Sequence, residues 1–238
     1  MTPSDGPQSP SPAPDGPVTD AWLVIPLYNE APVVRDVIAQ ARRVFPLVVA
    51  VDDGSVDESA AQARAGGAVV VRHPLNLGQG AALQTGISYV LERTDAPYLV
   101  TFDADGQHSV LDAAAMVRAA RDEDLAFVLG SRFLQGPSPV GWLKRLVLRT
   151  AAAAASHTTG MRLTDAHNGL RVIRRDAAAQ LDLRQNRMAH ASEIIRQLAA
   201  TQLPWREFPV HIAYTDYSRG KGQSLWNSIN ILVDLLFS

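Results

Sequence analysis

Between residues 21 and 129, short apolar runs alternate with Ala-rich amphipathic stretches. The runs cover residues 21–27, 47–51, 68–71, 98–102 and 125–129, and each gives way to polar or Gly-bearing residues. Runs of that length, separated by helical periodicity, predict strands joined by helices, hence a mostly parallel α/β sheet with helices on both faces. In such sheets ligands bind beyond the carboxyl ends of the strands. The residues that follow each run therefore carry the functional expectation. They are Tyr28-Asn29-Glu30, Asp52-Asp53-Gly54-Ser55, Arg72-His73-Pro74 and Asp103-Ala104-Asp105-Gly106-Gln107-His108. Carboxylates and polar groups thus gather at one edge.

The second half is less regular. Residues 140–156 read as a helix carrying Lys144, Arg145 and Arg149, residues 168–173 as a strand, 189–200 as a helix and 205–214 as extended chain. Residues 1–20 are rich in Pro, Ser and Asp and lack the basic start and apolar centre of a signal peptide, so they are expected to be a disordered tail. No apolar run reaches the roughly 18 residues of a membrane span. The longest candidate, 225–237, is interrupted by Asn227, Asn230 and Asp234. A net charge of −2 gives no basic face for nucleic acid. The absence of cysteine excludes disulfides, thiolate nucleophiles and Cys-ligated zinc, and it fits a cytoplasmic protein.

The sharpest motif is Asp103-Ala104-Asp105-Gly106-Gln107-His108. A turn at Ala104, loosened by Gly106, can bring both carboxylates round one cation. Hard oxygen ligands suit Mg²⁺ or Mn²⁺. The alternative is an acidic turn capping a helix that starts near Ser109. At Asp52-Asp53-Gly54-Ser55 a carboxylate can accept from a base or ribose, or Asp53 and Ser55 can cap the next helix. Tyr28 can stack on a base and Glu30 can meet a ribose, or the segment is an ordinary strand-to-helix turn. Asn76-Leu77-Gly78-Gln79-Gly80 opens a helix whose free amides favour an anion, or whose glycines serve close packing. It is neither a P-loop nor a dinucleotide fingerprint. The histidines show no metal-ligand spacing, and His108 stands out as a neighbour of the acidic motif.

In this order, Pro26-x-Tyr28-Asn29-Glu30, Asp52-Asp53-Gly54-Ser55, Asn76-x-Gly78-x-Gly80, the acidic motif and Gly130-Ser131-Arg132 resemble family 2 glycosyltransferases. Within them the chain is similar to the dolichyl- and polyprenyl-phosphate sugar synthases, from about Ala21 to Ser224. The resemblance implies a GT-A fold, with a Rossmann-like nucleotide-binding half at 21–130, an acceptor half at 131–224 and a C-terminal amphipathic helix at 225–238. It implies a Mg²⁺ or Mn²⁺ cofactor, a nucleotide-diphosphate sugar as donor and inversion at the anomeric carbon. Pro26, Tyr28, Glu30, Asp52 and Asp53 would hold the nucleoside, with Asn76, Gly78 and Ala104 completing the donor site. Asp103, Asp105 and Gln107 would hold metal and diphosphate. Arg132 would meet a donor or acceptor phosphate. Residues 165–171 are similar to an Asp-x-x-Ser-Gly-Phe-Arg segment of the family, with Asn168 for Ser and Leu170 for Phe. Residues 219–224 match an Arg-x-x-Gly-x-Ser loop, in which Arg219, Lys221 and Ser224 would close over the diphosphate.

The acceptor stays open at this level. A polyprenyl phosphate is already an anion and needs no strong base, and its use would place the enzyme at the inner face of the membrane. A hydroxyl acceptor needs a base, for which Asp165 is the candidate unless it caps a turn or pairs with Arg162. The stripe of Leu225, Trp226, Ile229, Leu232, Val233 and Leu236 packs on the domain or on a second copy in a homodimer, or else it touches a membrane surface. A nucleotidyltransferase would want a basic Gly-rich loop after the first run, where Tyr28-Asn29-Glu30-Ala31-Pro32 stands. A non-catalytic sugar-nucleotide-binding protein is the remaining alternative.

Overall fold

The computed structural model describes residues 16–134, 142–185 and 189–213. The expectations for Arg219, Lys221 and Ser224, for the helix at 225–238 and for residues 1–15 of the tail lie outside the described residues, as do the side chains of Lys144 and Arg145. The end of the expected tail is instead part of the fold: Val18 is buried in the core and donates its amide to Val44 O, and Asp20 pairs with Arg121. The strands are β1 (Ala21–Leu27), β2 (Val48–Asp52), β3 (Val69–Arg72), β4 (Tyr98–Thr101), β5 (Phe127–Ser131), β6 (Arg171–Arg174) and β7 (Trp205–Pro209). The helices are α1 (Val34–Ala41), α2 (Ser59–Ala65), α3 (Gln79–Arg93), α4 (Val110–Asp122), α5 (Trp142–Thr159), α6 (Arg175–Ala178) and α7 (Ala189–Ala200).

The strands form one seven-stranded sheet in the order β3-β2-β1-β4-β6-β5-β7. Among the described strands, β6 runs antiparallel to both of its neighbours, β4 and β5, and the other pairings are parallel. Strands buried on both faces need apolar residues at successive positions. In β1, Leu23 and Ile25 face a core with Ile38, Phe45 and Met116, while Val24 faces the other with Leu83, Ile87 and Phe127. The register pairs Leu27 with Asp52, and Phe102 donates its amide to Val24. The chain therefore leaves β1, β2 and β4 at the same edge of the sheet.

The boundaries differ from expectation where tertiary pairing sets them. β5 starts at Phe127 rather than 125 and runs to Ser131, opposite Pro209 of β7. Arg132 is thus the first residue beyond a strand. β6 starts at Arg171 rather than 168, because the Asn168 side chain accepts the amide of Leu170 and turns the chain there. α5 spans Trp142–Thr159 instead of 140–156. β7 ends at Pro209, after which the chain crosses over the acidic turn, with Ile212 bridging His108 and Ala213 donating to Gln107 O. At the other boundary of that turn, Ser109, rather than an acidic residue, caps α4 by accepting from the Asp112 amide.

Candidate active site

A cleft of about 420 Å³ opens where β1, β2 and β4 end against the start of α3. Pro26, Tyr28, Glu30, Asp53, Asn76, Gly78, Asp103, Ala104 and Asp105 line it, so most of the residues singled out in the sequence meet there. Leu27, Gln79 and Ala82 complete the lining; they lie within or beside the sequence motifs but were given no role of their own.

The acidic turn forms one wall. Residues 104 and 105 turn the chain, and Gly106 takes a left-handed φ of 75° that other residues adopt only at a cost. Asp103 Oδ2 is 2.8 Å from His108 Nε2, and the His108 ring stands edge-on to Phe102. Burial pushes the Asp103 carboxyl up, but the charge and hydrogen bond of His108, with Arg171 and His190, outweigh it and hold the group below the usual carboxylate range. Asp105 is pushed up, first by burial and then by the charge of Asp103. Gln107 donates its amide and its side-chain Nε2 to Asp105, at 3.0 and 2.6 Å. Two neighbouring carboxylates, of which Asp103 raises the proton affinity of Asp105, stand beside an amide oxygen, a hard-oxygen donor set whose repulsion a divalent cation would relieve. Among the described residues no group of three or more His, Asp or Glu side chains is placed to hold a metal ion.

The opposite wall rests on Asp53. Its Oδ1 accepts from the Leu77 amide at 2.9 Å and lies 2.7 Å from His73 Nδ1, and its Oδ2 accepts from the Gly78 amide at 2.8 Å. The carboxylate thereby fixes the Asn76–Gly78 turn at the start of α3, which no side chain caps. Asp52 points away from the cleft. It is fully buried, accepts from the Ser55 amide and pairs with Arg72 at 3.1 Å. Of the adjacent carboxylates, only Asp53 reaches the cavity. Tyr28 is 44% exposed, its ring available at the rim.

Arg132 and Asp165 are not part of the cleft lining. Arg132 donates through Nε and its own amide to Asp165 Oδ2, at 2.6 and 3.2 Å, so Asp165 pairs with Arg132 rather than Arg162. Glu207 on β7 accepts the amides of Thr164 and Asp165 and sets this segment in place. A second hollow of about 340 Å³ lies beside it, lined by Phe133, Arg149, Leu163 and Thr164 among others.

Three features escaped the sequence. Arg171, on β6 between β4 and β5, is only 2% exposed, and among the described residues no side chain hydrogen-bonds or ion-pairs with its guanidinium. Burial lowers its pKa to about 10, against the pull of Asp103 and Asp165, so it stands between the acidic turn and the Arg132 pair. Gly169 packs its Cα against the Asp103 carboxylate so closely that a Cβ would collide with it. Buried polar atoms without a partner among the described residues lie close in sequence at Asp165 Oδ1, His167 Nδ1 and Asn168 Nδ2. Arg171 and Asn168 sat inside a segment the sequence had flagged, which was the available signal. The approach of Gly169 to Asp103 had none.

The sequence model described as Glycosyl transferase family 2 matches residues 22–182. An uncharacterized protein of Methanocaldococcus jannaschii is 31% identical, over 91% of this chain and 91% of its own length. A UDP-N-acetylglucosamine–dolichyl-phosphate N-acetylglucosaminyltransferase of Methanococcus voltae is 28% identical, over 90% of this chain and 94% of its own. Among solved structures, glucosyl-3-phosphoglycerate synthase of Mycobacterium tuberculosis, in complex with Mn²⁺, UDP-glucose and phosphoglyceric acid, superposes with a TM-score of 0.62. It is 20% identical, with 91% of this chain and 78% of that one covered, a likeness of fold.

Proposed function

The chain belongs to glycosyl transferase family 2, and from that premise we propose that it moves a sugar from a nucleotide-diphosphate donor to a polyprenyl phosphate, with inversion at the anomeric carbon. The observation that carries the donor half is the convergence of Asp103 and Asp105 with Tyr28, Glu30 and Asp53 around one cleft. Asp103, Asp105 and Gln107 would hold Mg²⁺ or Mn²⁺, which when bound neutralises charge on the leaving diphosphate. Tyr28 and Glu30 meet the nucleoside, and Asp53 holds the α3 turn against it.

In the transfer, a phosphate oxygen of the acceptor forms a bond to the anomeric carbon as the bond from that carbon to the donor's diphosphate oxygen breaks. The acceptor brings its own negative charge and loses no proton. That agrees with the Arg132–Asp165 pair, in which the one carboxylate proposed as a base is committed to a guanidinium. Arg132 and Arg171 supply positive charge near the acceptor phosphate. The hollow lined by Phe133, Leu163 and Arg149 offers apolar surface and one cation, the combination an isoprenoid phosphate presents in mirror. The dolichyl-phosphate acceptor named for the Methanococcus voltae relative supports the same choice. A lipid acceptor places the enzyme at the inner face of the membrane as a peripheral protein. No helix among the described residues is long and apolar enough to cross one.

The test supplies UDP- and GDP-sugars, Mn²⁺ and a short-chain polyprenyl phosphate to the purified protein and looks for glycosyl phospholipid by mass spectrometry. The proposal expects that product. Transfer to phosphoglycerate or another hydroxyl acceptor, with none to the lipid phosphate, overturns the acceptor assignment.

A further inference from the structure

Consecutive backbone amides of the cleft-lining turn after β1 are held by side chains from the loop after β2 and from the first residue of α2. Asn29 N donates to Ser55 Oγ at 2.9 Å, Glu30 N to Ser59 Oγ at 2.7 Å and Ala31 N to Asp57 Oδ2 at 3.2 Å. The return bond runs from Val56 N to Asn29 Oδ1 at 3.1 Å. Asp57 is the keystone, because its Oδ1 also accepts from the Ser59 amide and the Ser59 hydroxyl, the same hydroxyl that accepts from Glu30. Ser55 and Ser59 are buried, so their hydroxyls are oriented by the protein rather than by solvent.

This bonding has a conformational purpose. Asn29 adopts a left-handed φ of 54°, which costs most residues with a Cβ and which Asn tolerates best, and the bonds above select it here. The bend it makes places Tyr28 and Glu30, on either side of it, in the cleft lining. A free chain of this sequence samples many arrangements of that turn, and a ligand that selected one of them would lose affinity for the ordering.

We infer that Asp57, acting with Ser55 and Ser59, is a positioning residue for donor binding: it holds the Tyr28–Glu30 turn in its binding shape before the nucleotide arrives. The inference rests on the donor-cleft reading proposed above. Asp57 itself does not line the cleft, so its effect passes through the turn. Asp57→Ala removes acceptors from Ala31 and Ser59 together and frees the hydroxyl that holds Glu30.

The test combines two measurements on the full chain. In hydrogen exchange without ligand, the amides of Asn29, Glu30 and Ala31 exchange at least tenfold faster in Asp57→Ala than in the wild type, while β4 is unchanged. In titrations with UDP or GDP plus Mn²⁺, whichever binds the wild type more tightly, Asp57→Ala weakens binding about tenfold. Asp57→Asn, which keeps an acceptor for Ala31 but not for Ser59, falls between. In a Tyr28→Ala, Glu30→Ala background, adding Asp57→Ala produces no further loss, because the groups it positions are gone. Unchanged exchange at the turn overturns the inference, as does faster exchange with wild-type affinity, which is the mark of a brace for the fold alone. A full tenfold further loss in the double-substituted background overturns it too. If Tyr28→Ala, Glu30→Ala binds nucleotide as the wild type does, the donor-cleft reading fails and the binding role of Asp57 falls with it, whereas the exchange result still reports separately whether Asp57 holds the turn.

Discussion

Arg132 Nε lies 2.6 Å from Asp165 Oδ2, and the Arg132 backbone amide reaches the same oxygen at 3.2 Å. The Asp165 side chain is fully buried and that of Arg132 is 14% exposed. Removing one partner of such a pair strands the other charge, at a cost of about 3–5 kcal/mol. Asp165→Ala should therefore lower the stability measured by urea unfolding by that order and reduce transfer by displacing Arg132. Asp165→Asn keeps an oxygen for the Arg132 amide and should retain more of both. The pH–rate profile separates this role from general base catalysis. In Asp165→Asn the profile should keep its shape, whereas loss of its acidic limb would reassign Asp165 as a base and favour a hydroxyl acceptor.

Asp53 makes the wall of the cleft rather than only touching what enters it. With bonds to the Leu77 and Gly78 amides and to His73, Asp53→Ala leaves several donors without an acceptor. A loss of roughly 2–4 kcal/mol in stability is expected, from an unfilled buried carboxylate site. Nucleotide affinity should fall in the absence of metal as well as in its presence, since the wall is displaced in both cases. Calorimetry with and without Mn²⁺ checks this, and a loss confined to the metal-loaded titration would contradict it.

Gly169→Ala is the smallest change that should disturb the acidic turn. The added Cβ meets the Asp103 carboxylate and must move it or the chain that carries it. Transfer should fall by one to two orders of magnitude through lost positioning. Ala at this position with wild-type turnover would show that the Asp103 carboxylate has room to shift without consequence.

His167 gives the fold a pH dependence. Burial lowers its pKa from 6.5 to about 4, outweighing the opposing charge of Asp165, while Arg171, Arg132 and His190 reinforce the shift. The unfolded chain therefore binds the proton more readily than the folded one, and stability rises with pH across that window. Its contribution is fully present above pH 6.5 and is lost as pH falls toward 4. Urea unfolding at about pH 4.5 should give about 2–3 kcal/mol less stability than at about pH 7 on account of this residue. In His167→Asn that part of the difference should vanish, and an unaltered pH dependence would assign it to other groups.

The sheet was legible because buried parallel strands advertise themselves as apolar runs, and every run from 21–27 to 125–129 became a strand. Strand ends were not, because an apolar run does not encode its partner. β5 gained Gly130 and Ser131 through pairing with β7, a strand more than seventy residues away in sequence. The acidic turn was legible because its carboxylates and Gly106 are near neighbours in the chain. The pleat of β2 decides between Asp52 and Asp53, and adjacent identical residues carry no record of that choice. Arg171 and the Ser55–Asp57–Ser59 bonding depend on groups brought together only by folding. The α6 turn at Arg175–Ala178 was missed because a single helical turn has no periodicity to read.

In the proposed transfer the acidic turn serves a metal-bound donor. Its most direct test is titration of nucleoside diphosphate into wild-type and Asp103→Asn protein, each with Mn²⁺ and with EDTA, alongside melting curves. Asp103 is partly open to the cleft, so its replacement by Asn should leave the melting temperature within a few degrees. Wild-type affinity should rise at least tenfold with Mn²⁺, and that gain should disappear in Asp103→Asn. Equal affinity with Mn²⁺ and EDTA in the wild type, or a gain preserved in the variant, would contradict the central claim.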